Sequence, residues 1–297
     1  MKLPPGLVQH PMAPGDESAV TALIAAGQLQ DVGEVVIEEA DVVSDWQRPS
    51  YDVAASTIGV FDGDRLVAYA ELSGGDRGDA AVDPAYRGQG IGTFLANWMQ
   101  ERARARGLQV IGMPVPKGSP GDRLLEHLGY RVRWTSWALA LPEGKVIEAR
   151  TLPPGYTIRT GDQADHRAIW TVIEDAFLEW AVRDRQSFED FSAQVLQRPG
   201  FEPWNLRVVT DGNAEVVGAA LIVLADNVGF VERVAVRRDQ RGLGLGQAIL
   251  ADAFEQAREH GATRSEISTD SRTGALGLYE RVGMEVTSVW VNRAIDL

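Results

Sequence analysis

The sequence feature that most limits the possible folds is an internal duplication. The segments 83–107 and 237–261 share one layout: an arginine, two glycines with the same spacing, an apolar stretch and a closing glycine. The repeated positions are Arg87, Gly90, Gly92 and Gly107 in the first segment and Arg241, Gly244, Gly246 and Gly261 in the second, each 154 residues further along. "LPPG" and a hairpin signal built on Asp-Gly also occur twice. The sequence therefore predicts two tandem domains, residues 1–145 and 146–297.

Each copy reads as a strand, a glycine loop and a helix. Before the second loop, residues 228–236 alternate and are rich in β-branched side chains, which is typical of a strand. After it, apolar residues recur at helical spacing as far as Gly261. Glycines without Cβ atoms let backbone N–H groups approach an oxyanion, and the helix N-terminus adds its positive end. The loops thus predict anion sites; the alternative for a single loop is a tight turn.

Two other phosphate-binding motifs are excluded by single positions. A dinucleotide fingerprint needs a third glycine where the chain has Leu95 and Ile249. A P-loop needs Ser or Thr after Gly144-Lys145, where Val146 follows.

The order of predicted elements indicates an α/β fold with a mixed sheet. In the second half we predict strands at 156–160, 205–210, 214–225, 228–237, 264–269 and 284–295, and helices within 163–197, at 244–260 and at 272–282. A segment bracketed by proline and glycine, residues 141–155, is predicted to connect the two halves.

Composition excludes several function classes. A net charge of −13 argues against nucleic-acid binding, which requires a basic surface. The chain has no cysteine, and its four histidines lack ligand spacing, so we predict no metal site. The longest apolar run, "VVGAALIVLA", is too short to cross a membrane, and no signal peptide is expected. A cytoplasmic location is therefore predicted.

The motif R-x-x-G-x-G between a strand and a helix, followed by "GLYERVGM" at 277–284, resembles the GNAT superfamily of N-acetyltransferases. With the duplication, the resemblance covers nearly the whole chain. The chain is similar to two-domain members of the superfamily such as mycothiol synthase. It implies two tandem GNAT-like domains, each a mixed, mostly antiparallel sheet flanked by helices. It also implies acetyl-CoA as co-substrate and no metal.

The same resemblance implies that acetyl-CoA lies against the fourth strand and the glycine loop of a repeat. In the second repeat the matching residues are Val234, Ala235, Val236, Arg241, Gly242, Leu243, Gly244, Leu245 and Gly246. In the first repeat they are Ala80, Ala81, Val82, Arg87, Gly88, Gln89, Gly90, Ile91 and Gly92.

Two residues of the second repeat match catalytic positions of the family. Strand alternation puts Glu232 on the face of Val234 and Val236, where the family often carries a general base or a water-relaying carboxylate. Tyr279 matches a tyrosine that assists the departing thiolate, since a phenol pKa of about 10 is close to a thiol pKa of about 8.5. The alternative interpretations are that Glu232 is a surface residue without a catalytic role and that Tyr279 only packs against its neighbours. Arg272 departs from the family, which usually has asparagine there.

The first repeat has Gly78 and Leu125 at these two catalytic positions, so we predict that it binds CoA at most and does not catalyse. For the acceptor we predict a primary amine of a small molecule, near Phe177 and Trp180, although aromatics at this spacing also occur in cores. The remaining alternatives are acetylation of a protein N-terminus or lysine, and a non-catalytic module that binds acyl-CoA.

Overall fold

The computed structural model describes residues 2–297. In the first repeat the helices and strands are β1 (Leu7–His10), α1 (Glu17–Val32), α2 (Glu39–Trp46), α3 (Val53–Ser56), β2 (Thr57–Asp62), β3 (Arg65–Gly74), β4 (Arg77–Val82), α4 (Ile91–Ala105), β5 (Val110–Pro116), α5 (Pro120–His127) and β6 (Arg131–Ala140). In the second repeat they are β7 (Thr157–Thr160), α6 (His166–Leu178), α7 (Phe188–Phe191), β8 (Leu206–Thr210), β9 (Val216–Ala225), β10 (Val228–Val236), α8 (Leu245–Glu259), β11 (Arg264–Asp270), α9 (Leu276–Arg281) and β12 (Glu285–Asp296).

The chain forms two compact units that are described separately. Among the described residues, unit 1 comprises 2–135, 192–199 and 289–297, and unit 2 comprises 136–191 and 200–288. In unit 1 the strand order is β1-β2-β3-β4-β5-β12, and in unit 2 it is β7-β8-β9-β10-β11-β6. In both units the fourth and fifth strands pair in parallel and their other recorded pairings are antiparallel. This agrees with the predicted mixed, mostly antiparallel sheet.

The last strand of each unit comes from the other repeat. In unit 1, Trp290–Asp296 of β12 pairs with β5. In unit 2, Ser136–Ala140 of β6 pairs with β11. The compact units therefore do not coincide with the sequence boundary at residue 145, because a pattern along the chain defines a strand but not its partner.

Each sheet is buried under amphipathic helices. In unit 1, Leu95 and Met99 of α4 pack with Leu72 of the sheet, while Tyr69, on the other face, packs with side chains of α1 and α2. In unit 2, a cluster around Ile249 and Phe254 of α8 covers β9, β10 and β11. The α6 helix also packs against β9 and β10. The helices thereby fix the position of the glycine loop that precedes α4 or α8.

The predicted strands and long helix of the second repeat agree with the structure to within about two residues, the usual uncertainty of helix and strand ends. Among the helices of residues 2–297, none is both long and apolar enough to cross a bilayer. In the same described part of the chain, His, Asp and Glu side chains form no group of three that could hold a metal ion.

Candidate acyl-CoA site

The two glycine loops have the same backbone conformation. Gly88 and Gly90 have φ of +78° and +85°, and Gly242 and Gly244 have +81° and +82°. Gly90 and Gly244 are the N-caps of α4 and α8. An L-residue in this left-handed region is strained by about 1–2 kcal/mol. Glycine is therefore needed for the turn itself. The first N–H groups of the helix that follows have no intrahelical partner and can bind a ligand.

Arg87 and Arg241 hold their loops from equivalent positions. The Arg241 Nε donates to the Val236 carbonyl at 3.2 Å, and both terminal nitrogens bind Glu179 at 2.6 and 2.8 Å. Arg87 likewise donates to a strand carbonyl at 3.2 Å and forms two bonds with Asp31, at 2.7 and 3.1 Å. Both predicted phosphate ligands are thus engaged in paired contacts with a carboxylate. Direct contact of these two arginines with the coenzyme remains a prediction. The backbone N–H groups of the loops become the main candidate ligands of the coenzyme phosphates.

A cation that sequence reasoning missed lies on the second loop. A Cβ built on Gly244 would be 2.5 Å from the Nε of Arg150 and 3.0 Å from its Cζ. The same construction on Gly90 meets nothing within 4 Å. Arg150 belongs to the segment 141–155, far from the loop in sequence, so no local motif could have indicated this contact.

The strand next to the loop has a β-bulge that changes one prediction. Val231 pairs with Ile222, and Arg233 pairs with Leu221, so Glu232 is the extra residue. Because Ile222 and Leu221 face opposite sides of the sheet, Val231 and Arg233 do too. The bulge interrupts simple alternation, so alternation no longer places Glu232 on the face of Val234 and Val236, and the role of Glu232 stays a prediction. Its side chain is 37% exposed and lies 3.3 Å from Arg233.

The bulge coincides with an opening between two strands. The parallel pairing of β10 with β11 ends at Val231 and Ile267. Beyond it, Val234–Val236 pairs with β9 alone, while Ser268–Asp270 pairs with β6. One backbone edge of the predicted acyl-binding strand is therefore exposed at the opening, where N–H groups can polarise a carbonyl. In unit 1, the recorded pairing of β4 with β5 is Arg77 with Gly112, so Ala80–Val82 lies beyond it as well.

Tyr279 lies in the same apolar cluster as this strand. The side chain is 6% exposed and packs in the cluster that includes Leu245, Val234 and Val236. Among residues 2–297 its hydroxyl has no hydrogen-bond partner, and burial raises its pKa from 10.0 to about 12. The group is therefore a neutral donor at physiological pH. The corresponding residue of the first repeat, Leu125, is a buried apolar side chain.

The predicted acceptor residues form a small aromatic group beside the loop. The rings of Phe177 and Trp180 are 5.2 Å apart between centroids. The guanidinium of Arg272 lies 4.7 Å from the centre of the Trp180 ring and binds Asp270 at 2.7 Å. Arg272, which replaces the family's asparagine, is thus tied to the aromatic group. That these aromatics bind the acceptor stays a prediction.

A second polar group near β10 was also missed from the sequence. Glu174, 1% exposed, accepts hydrogen bonds from Arg183 at 2.7 and 2.8 Å and from the Gln186 N–H at 2.9 Å. Burial alone would raise the pKa of Glu174, but these hydrogen bonds hold it below its ordinary value. Arg233 lies 5.8 Å from the centre of the Phe191 ring. Hydrophobic periodicity predicts α6 but not the charge buried within it.

Unit 1 has a carboxyl cluster where unit 2 has Arg233 and Leu221. Glu71 pairs across the strands with Asp79, and its Oε2 accepts from the hydroxyls of Tyr51 at 2.6 Å and Tyr69 at 2.8 Å. Burial, reinforced by the charge of Asp79, raises the pKa of Glu71 from 4.5 to about 7. Unit 1 therefore has the carboxylate Asp79 at the position where unit 2 has Arg233, and the carboxyl group of Glu71 where unit 2 has the apolar Leu221.

Comparison with known proteins identifies the family. The sequence model of the Acetyltransferase (GNAT) family matches residues 29–130 and 167–284. The chain belongs to the GNAT family. It is an N-acetyltransferase with two GNAT repeats, and the family uses acyl-CoA.

Relatives of this GNAT chain share its tandem form. A mycothiol acetyltransferase of Thermobispora bispora is 27% identical over 290 residues, covering 91% of this chain and 92% of the relative. A crystal structure of a GCN5-related N-acetyltransferase from Sphaerobacter thermophilus has a TM-score of 0.76 and 28% identity, covering 99% and 97% of the two chains. A tandem GNAT protein from the clavulanic acid biosynthesis pathway has a TM-score of 0.74 at 16% identity, with 98% of each chain covered, and shows the shared fold.

Proposed function

We propose that the chain transfers an acetyl group from acetyl-CoA to a primary amine of a small molecule, and that the second repeat catalyses the transfer. The observation that carries the proposal is the combination found in unit 2: a glycine loop, an open strand edge and the unpartnered Tyr279 hydroxyl. Unit 1 has the loop and the open edge, but Leu125 in place of the tyrosine. The mycothiol acetyltransferase relatives support a small-molecule acceptor.

In the proposed reaction the amine nitrogen attacks the thioester carbon, and the C–N bond forms as the C–S bond breaks. Backbone N–H groups of Val234–Val236 polarise the carbonyl oxygen as it gains charge. Glu232, partly open to solvent beside Arg233, takes the ammonium proton through water.

Tyr279 assists the departing thiolate by hydrogen bonding. Its raised pKa of about 12 lies well above the thiol value of about 8.5. Complete proton transfer from the phenol is therefore unfavourable, whereas donation of a hydrogen bond to the developing thiolate is favourable. The proton that neutralises the thiolate comes from solvent.

The acceptor class is tested by following acetyl transfer from acetyl-CoA to glucosamine, to amino-acid amides and to peptides with a free N-terminus or lysine. We expect acetylation in the small-molecule group and little in the peptides. Tyr279→Phe should lower kcat about 100-fold, the scale for removing one hydrogen-bond donor to a developing anion, with the KM for acetyl-CoA nearly unchanged. Preferential acetylation of peptides would contradict the acceptor class, and an unchanged kcat would make Tyr279 a packing residue.

A further inference from the structure

The segment that joins the repeats packs on the coenzyme loop of unit 2. Ile147 is 6% exposed and lies in the apolar cluster that contains Leu245 and Ile249. The Gln247 side chain donates to the Glu148 carbonyl at 3.3 Å. These two contacts hold the backbone on both sides of residue 148 against the start of α8. Arg150 follows two residues later, and its guanidinium lies over Gly244.

The arginines around this loop differ in whether a carboxylate neutralises their charge. Arg241 binds Glu179, and Arg237 binds Asp239 and Glu215. Arg150 has no ion pair or side-chain hydrogen bond within the described residues 2–297. In a chain with a net charge of −13, this unpaired guanidinium beside the N-terminal N–H groups of α8 is a local excess of positive charge.

We propose that Arg150 binds the diphosphate of the acyl-CoA held at the second glycine loop, so that the connecting segment completes the donor site of unit 2. This inference rests on the proposed function. A guanidinium presents paired donors that match phosphate oxygens. The first loop has open space at Gly90, so the contact distinguishes the two repeats. Arg150 is thus a binding residue that sets donor affinity and takes no part in the chemistry.

The test uses the full-length protein and donors that lack parts of coenzyme A. Arg150→Ala should raise the KM for acetyl-CoA about tenfold, the lower range for a charged hydrogen bond, with kcat nearly unchanged. Acetyl-3′-dephospho-CoA should show the same increase, because it keeps the diphosphate. S-acetylpantetheine, which lacks it, should react equally with both proteins. Arg150→Lys should lose less affinity than Arg150→Ala.

Lys145→Ala is the matched control, because it removes one positive charge from an exposed position of the same segment. It should leave the KM unchanged. Equal KM values for wild type and Arg150→Ala, or tighter binding by Arg150→Ala, would overturn the inference, the latter by showing that the guanidinium competes with the donor. If Arg150→Ala raised the KM for acetyl-CoA but not the KM for acetyl-3′-dephospho-CoA, the assignment of Arg150 to the diphosphate would be overturned. If the wild type neither binds CoA in calorimetry nor transfers acetyl groups, the proposed function itself fails.

Discussion

At the residue scale, the sequence identifies functional candidates that belong to local motifs. It does not identify contacts between residues that are distant along the chain. The positive-φ glycines were indicated by spacing, because a turn and a helix start impose a fixed order of residues, whereas Tyr279 was assigned from the resemblance of "GLYERVGM" to the family motif. Arg150 and the cluster around Glu71 depend on contacts between separate elements. Glu232 was assigned a face that its bulge does not guarantee.

The Glu71 cluster predicts a dependence of stability on pH. Because folding raises the pKa of Glu71 from 4.5 to about 7, the folded protein binds an extra proton between these values. The stabilisation is complete below 4.5 and is lost as pH rises through about 7. One pKa unit corresponds to about 1.4 kcal/mol, so the free energy of unfolding changes by at most about 3 to 4 kcal/mol.

Glu71→Gln removes this titration. Chemical unfolding of wild type and variant at pH 5 and pH 8 should therefore show the variant gaining relative stability at pH 8. Asp79→Asn should reduce the wild-type effect, because the Asp79 charge helps to raise the pKa of Glu71. A stability difference that is the same at both pH values would show that Glu71 titrates normally.

At the scale of elements, strand positions were predictable but strand partners were not. Alternating β-branched residues indicate β10 and β12 without specifying their register or neighbour. The bulge at Glu232 is defined by the register of β10 against β9, which the sequence does not specify. The pairing of β12 with β5 depends on long-range contacts such as the Arg293 Nε bond to Asp122 at 2.7 Å.

This strand arrangement predicts that changes near the C-terminus destabilise unit 1. Arg293→Met leaves the buried Asp122 carboxylate without its ion pair and should cost about 3 kcal/mol. Backbone amides of β5 should exchange hydrogen faster, while those of β11 remain protected. Arg131→Ala, which breaks an exposed ion pair with Asp296, is the control and should cost less than about 1 kcal/mol. Faster exchange confined to β11 would contradict the arrangement.

At the scale of the whole molecule, the chain has two similar glycine loops with different surroundings. Unit 2 combines its loop with Tyr279 and Arg150, whereas unit 1 has Leu125 and open space at Gly90. The fold could be predicted because both copies keep the same local motifs. The division of labour is a proposal because it depends on side chains gathered from outside those motifs.

The most direct test of this division is acetyl transfer by Gly90→Ala and Gly244→Ala. The two glycines have φ of +85° and +82°, so alanine strains the backbone of both helix caps similarly. At Gly244 the added Cβ would also lie 2.5 Å from the Nε of Arg150 and displace that side chain, whereas at Gly90 it meets open space. Initial rates are measured against acetyl-CoA concentration and corrected for the folded fraction. We predict that Gly244→Ala lowers kcat/KM at least about tenfold, through displaced N–H donors and a displaced Arg150, while Gly90→Ala stays close to wild type. Loss of transfer in Gly90→Ala together with normal transfer in Gly244→Ala would place catalysis in the first repeat.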